Sequence, residues 1–188
     1  MTQQIQNLIR EVYSPILRAW RIPIEFIRVG DTEGWVVGSG NFFVIRMKPS
    51  HIGIVIDSHC LPGEDYKHLI PTSKLLGKEG WSKVQLAIEN CISAFVLTLL
   101  RNFLIGDGWD SRDIGYDIGR NPFLYIRSLD LVIIFDMETE SPTWAFQVYK
   151  LQERRLIWEK VKKKKISPLI HFSDVKDVLN AVRFEEVL

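Results

Sequence analysis

Residues Ser82 to Leu104 constrain this chain more than any other stretch, because they form its longest apolar segment and carry helix punctuation at both ends. Ser82 is a good N-cap, Gln85 three residues on completes a capping box, and Trp81 and Leu86 hold the two positions of a hydrophobic staple. Between Cys91 and Leu100 the only polar residues are Ser93 and Thr98. Their hydroxyls can bond back to carbonyls one turn earlier, so the middle is apolar nearly all round and needs cover on several sides. Arg101 and Asn102 bring polarity to the last turns, and Gly106 is placed for a left-handed C-cap ahead of an Asp-Gly turn. About 23 residues at 1.5 Å each span roughly 34 Å, the width of a small domain. The stretch predicts a central core helix.

A membrane span of the same kind needs about 20 mostly apolar residues. The run from Cys91 to Ile105 is shorter and is interrupted by Arg101 and Asn102, which favours burial in protein over burial in lipid. Hydrophobic content of 46% and charged content of 25% are those of a folded globular chain, and 188 residues suffice to bury a real core. A formal net charge of +1 excludes a globally basic nucleic-acid binder and a strongly acidic mimic, leaving only local patches. Met1 to Arg10 lack a basic start followed by a long apolar run, so the expected location is the cytoplasm. Two cysteines, Cys60 and Cys91, the second inside the core helix, do not make a disulfide framework.

Around the helix the chain reads as two runs of strands. Gln3 to Trp20 carries Ile5, Leu8, Ile9, Val12, Ile16 and Leu17 at helical spacing, with Pro15 expected to kink or divide the helix. Strands are expected at Ile24 to Val29, Trp35 to Val37, Asn41 to Lys48 and His51 to Asp57, the first two joined by a turn from Gly30 to Gly34. Ser58 to Gly80, with its prolines, glycines and charges, reads as a long connection, and Gly106 to Asn121 as a second irregular stretch. Phe123 to Arg127 and Leu129 to Asp136 are predicted strands. The latter is apolar on both faces and so belongs in mid-sheet. Glu138 to Pro142 supplies a turn, Thr143 to Leu151 and Arg155 to Val161 a hairpin with Glu153 and Arg154 near its tip, and Ser173 caps a final helix striped by Val175, Val178, Leu179 and Val182.

The order helix, strands, helix, strands, helix predicts an α+β fold: an antiparallel, curved sheet packed around a long central helix, with N- and C-terminal helices. It is expected to form one domain over residues 1–188, with room for two lobes, 1–80 and 107–188, joined by helix 82–104.

Chemistry-bearing residues collect in four places. Asp57, His59, Cys60 and His68 are the densest set of metal-ligating types, but a zinc site needs about four ligands in paired close spacings, and only one pair is present. Between Asp107 and Asp117, Asp107, Asp110, Asp113 and Asp117 could hold a hard cation; their spacing departs from an EF-hand, and Asp and Gly also simply build turns after a helix. The same loop carries Trp109 and Tyr116, aromatics of the kind that dominate binding surfaces. Charge is uneven. Asp107 to Glu140 holds eight acids against three arginines, whereas Lys150 to Lys165, including Lys162, Lys163, Lys164 and Lys165, holds eight bases against two acids. Such a lysine run near Trp158 could meet phosphates or an anionic surface. Gly38-Ser39-Gly40 lies between two strands and is no phosphate cradle, and no cofactor motif is present.

The fourth place is the second run of strands. Over about fifteen residues, Asp136 followed by Gln147 to Lys150 resembles the core of the PD-(D/E)xK nuclease superfamily. There a strand-end Asp and a Glu or Gln, any residue, Lys tripeptide hold a divalent metal. The resemblance implies Asp136 as a metal ligand. Gln147 and Lys150 are three apart, however, so a regular strand sends them to opposite faces and only a bulge would reunite them.

No catalytic constellation converges in this sequence. The expected role is therefore a macromolecule-binding domain, most naturally for a protein partner and in the manner of an immunity protein or small regulatory adaptor. Trp109, Tyr116, Asp110, Asp113 and Lys162 to Lys165 are its interaction residues. Metal-dependent hydrolysis through Asp107, Asp110, Asp136, His59, Cys60 or His68 is the alternative, as is nucleic-acid binding through the lysine run.

Overall fold

The computed structural model describes residues 7, 10–11, 14–19, 24–29, 32–37, 43–50, 53–60, 64–71, 78–117, 121–137, 144–151, 158–160, 169 and 171–185. The expected turns at Glu138 to Pro142, Glu153 to Arg154 and Gly38 to Gly40, and the lysines 162–165, lie outside them. The chain falls into two compact units, Met1–Cys91 and Ile92–Leu188.

Among the described residues of the first unit, Asn7, Arg10 and Glu11 are helical, and a short helix, α1, spans Ser14–Ala19. Pro15 lies in its first turn, where a missing N–H is not needed. Five strands follow: β1 (Ile24–Val29), β2 (Thr32–Val37), β3 (Phe43–Ser50), β4 (Gly53–Cys60) and β5 (Glu64–Pro71). They form an antiparallel meander in sequence order. Two expectations are corrected here. Val29 pairs with Thr32, so only Gly30 and Asp31 separate the first two strands, and Thr32 to Gly34 belong to the sheet. The supposed long connection from Ser58 contains all of β5, which pairs with β4 from Gly53↔Pro71 to Cys60↔Glu64. Its sequence, Glu-Asp-Tyr-Lys-His-Leu-Ile-Pro, lacks apolar alternation, and pairing to a neighbour outweighs intrinsic preference.

The long helix α2 runs from Lys78 to Gly106, 29 residues or about 43 Å. It starts a turn earlier than the sequence suggests, so Ser82 is an exposed position inside the helix and not its N-cap. Leu86, expected to pack in a staple, is 52% exposed. From Ile92 to Thr98 every residue is buried, as are Leu100 and Leu104. By length and composition Ser82–Gly106 could also cross a membrane, but its apolar half is a core element of the second unit.

That core is built on a second antiparallel sheet, ordered β10-β9-β8-β7-β6. Its strands are β6 (Ile114–Asp117), β7 (Phe123–Ile126), β8 (Leu131–Met137), β9 (Trp144–Leu151) and β10 (Trp158–Lys160). β8 is the middle strand, as its two apolar faces predicted. β6 is a strand where an irregular stretch was expected, and a 3-10 turn at Arg127–Leu129 delays β8 until Leu131. The pairing registers put Ile114, Leu124, Ile126, Leu131, Ile133, Phe135, Trp144, Phe146 and Val148 on one face, and all are buried. This inner face receives α2. The fold is thus α+β, with an antiparallel sheet packed against the long helix and a C-terminal helix, α3 (Phe172–Glu185), completing the second unit. Phe172 joins them, its ring 5.6 Å from that of Phe103 on α2 and 5.8 Å from that of Phe146 on β9. Val175, Val178, Leu179 and Val182 are buried as their spacing predicted. The cap of α3 differs: the Asp174 carboxylate accepts from the His171 N–H at 3.0 Å, so the carboxylate, not Ser173, closes the helix start.

Candidate functional site

The segment after α2 is organised by the way the helix ends. Trp109 N–H donates to the Leu104 carbonyl and Gly108 N–H to that of Ile105, both at 3.1 Å, while Gly108 takes φ +99°. This is a Schellman motif with Gly108, not Gly106, as its left-handed residue. Asp107, just before this turn, and Trp109, just after it, both lie beside α3. Lys176 Nζ meets Asp107 Oδ1 at 3.0 Å, and the Arg183 guanidinium lies 5.6 Å from the centre of the Trp109 ring. Lys176 and Arg183 are seven residues apart, two helical turns, and so share one side of α3.

Beyond Trp109, Asp110 and Asp113 are engaged by the loop and corner they brace. Asp110 Oδ1 accepts from Arg112 N–H at 2.9 Å, an Asx-turn that tightens the loop. Asp113 clamps the corner between β7 and β8: Oδ1 accepts from Ser128 N–H at 2.7 Å and Oδ2 from the Ser128 hydroxyl at 2.6 Å. Arg127 Nη1 returns the connection by donating to the Arg112 carbonyl at 2.8 Å. Gly115 lies under this guanidinium, and a Cβ there would sit 3.4 Å from Nη2.

Tyr116 is carried by β6 onto the inner face of the sheet, opposite Leu124, with the Arg101 guanidinium 5.3 Å from its ring centre. The structure therefore separates the two aromatics that the sequence grouped together. Trp109 remains at the surface loop; Tyr116 belongs to the seam under α2. On the outer face, Tyr125 donates to Asp130 Oδ1 at 2.6 Å, and the hydrogen bond, reinforced by burial and the carboxylate's charge, holds the phenol above its ordinary pKa. Asp130 itself is left-handed, at φ 48° and ψ 37°, a conformation Asp tolerates better than most residues.

The remaining candidates are not brought together. His59 pairs with Asp65, and His68 with Ile56, which puts Cys60 four register positions from His68, about 13 Å along the strands. Asp107 is paired with Lys176, Asp113 bonds Ser128, and exposed Asp136 stands on the outer sheet face. Among the described residues no group of three or more His, Cys, Asp or Glu could hold a metal ion. β9 pairs with β8 without a bulge from Leu131↔Lys150 to Met137↔Trp144. Gln147 therefore shares a face with Asp136 while Lys150 is on the other, and the arrangement the nuclease resemblance requires is not formed.

Two residues at the end of α3 were not singled out from the sequence. Arg183 covers the Trp109 ring, and the next residue, Phe184, is 71% exposed, the most exposed large hydrophobic side chain among those described. The sequence did hold a signal. Phe184 falls about 200° around the helix from Val182, opposite the buried stripe where a phenylalanine gains nothing from folding. Comparison of the chain with protein families, with curated proteins and with solved structures finds no match in any of the three.

Proposed function

We propose that this chain is a protein-binding module whose contact surface is the end of α3 and the loop after α2: Trp109, Asp110, Arg112, Arg183 and Phe184. The observation that carries the reading is Phe184, a 71% exposed phenylalanine adjacent to an arginine that stacks on a tryptophan. Trp and Arg are the residue types that supply most binding energy at protein interfaces, and a fixed aromatic loses little conformational freedom when a partner covers it. The loop beneath is pre-organised by the Schellman turn, the Asx-turn and the Asp113 clamp, so a partner would meet a surface already in shape. Asp107 and Asp113 support this surface and are not its contacts. Tyr116 is left out of it.

The test is affinity capture from the native source, followed by mass spectrometry, with nuclease and EDTA arms. One stoichiometric protein that survives both treatments and is lost with Phe184→Ala supports the reading. Recovery of nuclease-sensitive material alone would move the function to the lysine run, and EDTA-sensitive capture to a metal-dependent role.

A further inference from the structure

We draw no further inference here: the strongest candidate, the outer face of the sheet in the second unit, where partly exposed Phe123, Tyr125 and Tyr149 surround Val132, is an aromatic sheet face with nothing in the structure to show what covers it.

Discussion

Ser93 Oγ, on the buried side of α2, donates a 2.6 Å hydrogen bond to the main-chain carbonyl of Phe135 on β8. The helix hydroxyl expected to bond back within its own turn reaches instead to the central strand of the sheet. Thr98, one and a half turns on, does bond back, to the Ala94 carbonyl at 2.8 Å. Two hydroxyls in the same apolar run are thus satisfied in different ways, one within the helix and one across the core.

Ser93→Ala removes that cross-core bond and is expected to destabilise the protein by about 1 kcal/mol. Leu100→Ala, which leaves a cavity at a fully buried site, is expected to cost about 2–5 kcal/mol. Chemical denaturation of the two variants should rank them in that order. A Ser93→Ala loss indistinguishable from zero would mean the bond to Phe135 contributes nothing net.

The helix terminus separates two glycines. Gly108 needs its positive φ, so Gly108→Ala should lower stability by about 1 kcal/mol although open space surrounds the new methyl group. Gly106 is helical and equally open, and Gly106→Ala should raise stability by about 0.4–1 kcal/mol. Thermal melts of the pair show opposite signs if the cap is assigned correctly.

The hydrogen bond to Asp130 favours the protonated phenol of Tyr125 in the folded state, which raises its pKa above the unfolded value. Its contribution is complete below the unfolded pKa, near 10, and is lost as pH rises through the folded pKa. Stability measured from pH 9 upward should fall less steeply in Tyr125→Phe than in the wild type. Equal alkaline slopes would remove Tyr125 from the account.

Asp107 and Lys176 are partly exposed, and their bond ties the end of α2 to α3. A double-mutant cycle with alanine at both positions should give a coupling of less than about 1 kcal/mol, declining with added salt. Calcium or magnesium should leave the melting temperature unchanged, because Asp107 and Asp113 are engaged with Lys176 and Ser128. A metal-dependent rise in melting temperature that Asp107→Ala abolishes would restore the metal reading.

What could be read from the sequence followed burial. The run from Ile92 to Thr98, the two-sided β8 and the stripe of α3 all carry hydrophobic patterns dictated by the core they enter, and the structure buries them accordingly. Punctuation was less legible. Ser82 and Gln85 fit a capping box, but the helix extends back through Gly80, and local capping chemistry cannot say whether an earlier turn is also helical. β5 and β6 escaped notice because these charged or glycine-containing strands carry no apolar alternation of their own and are held by pairing to an adjacent strand. At the candidate surface Trp109 was visible from composition. Arg183 became its partner only through the packing of α3, which no local pattern encodes.

The most direct test of the binding surface is the affinity of Phe184→Ala, relative to wild type, for the partner recovered by capture, measured by isothermal titration with the melting temperature as a folding control. The account predicts binding weakened tenfold or more, roughly 1.4 kcal/mol, with an unchanged melting temperature. Equal affinity in a folded variant would contradict it and remove this end of α3 from the function of the protein.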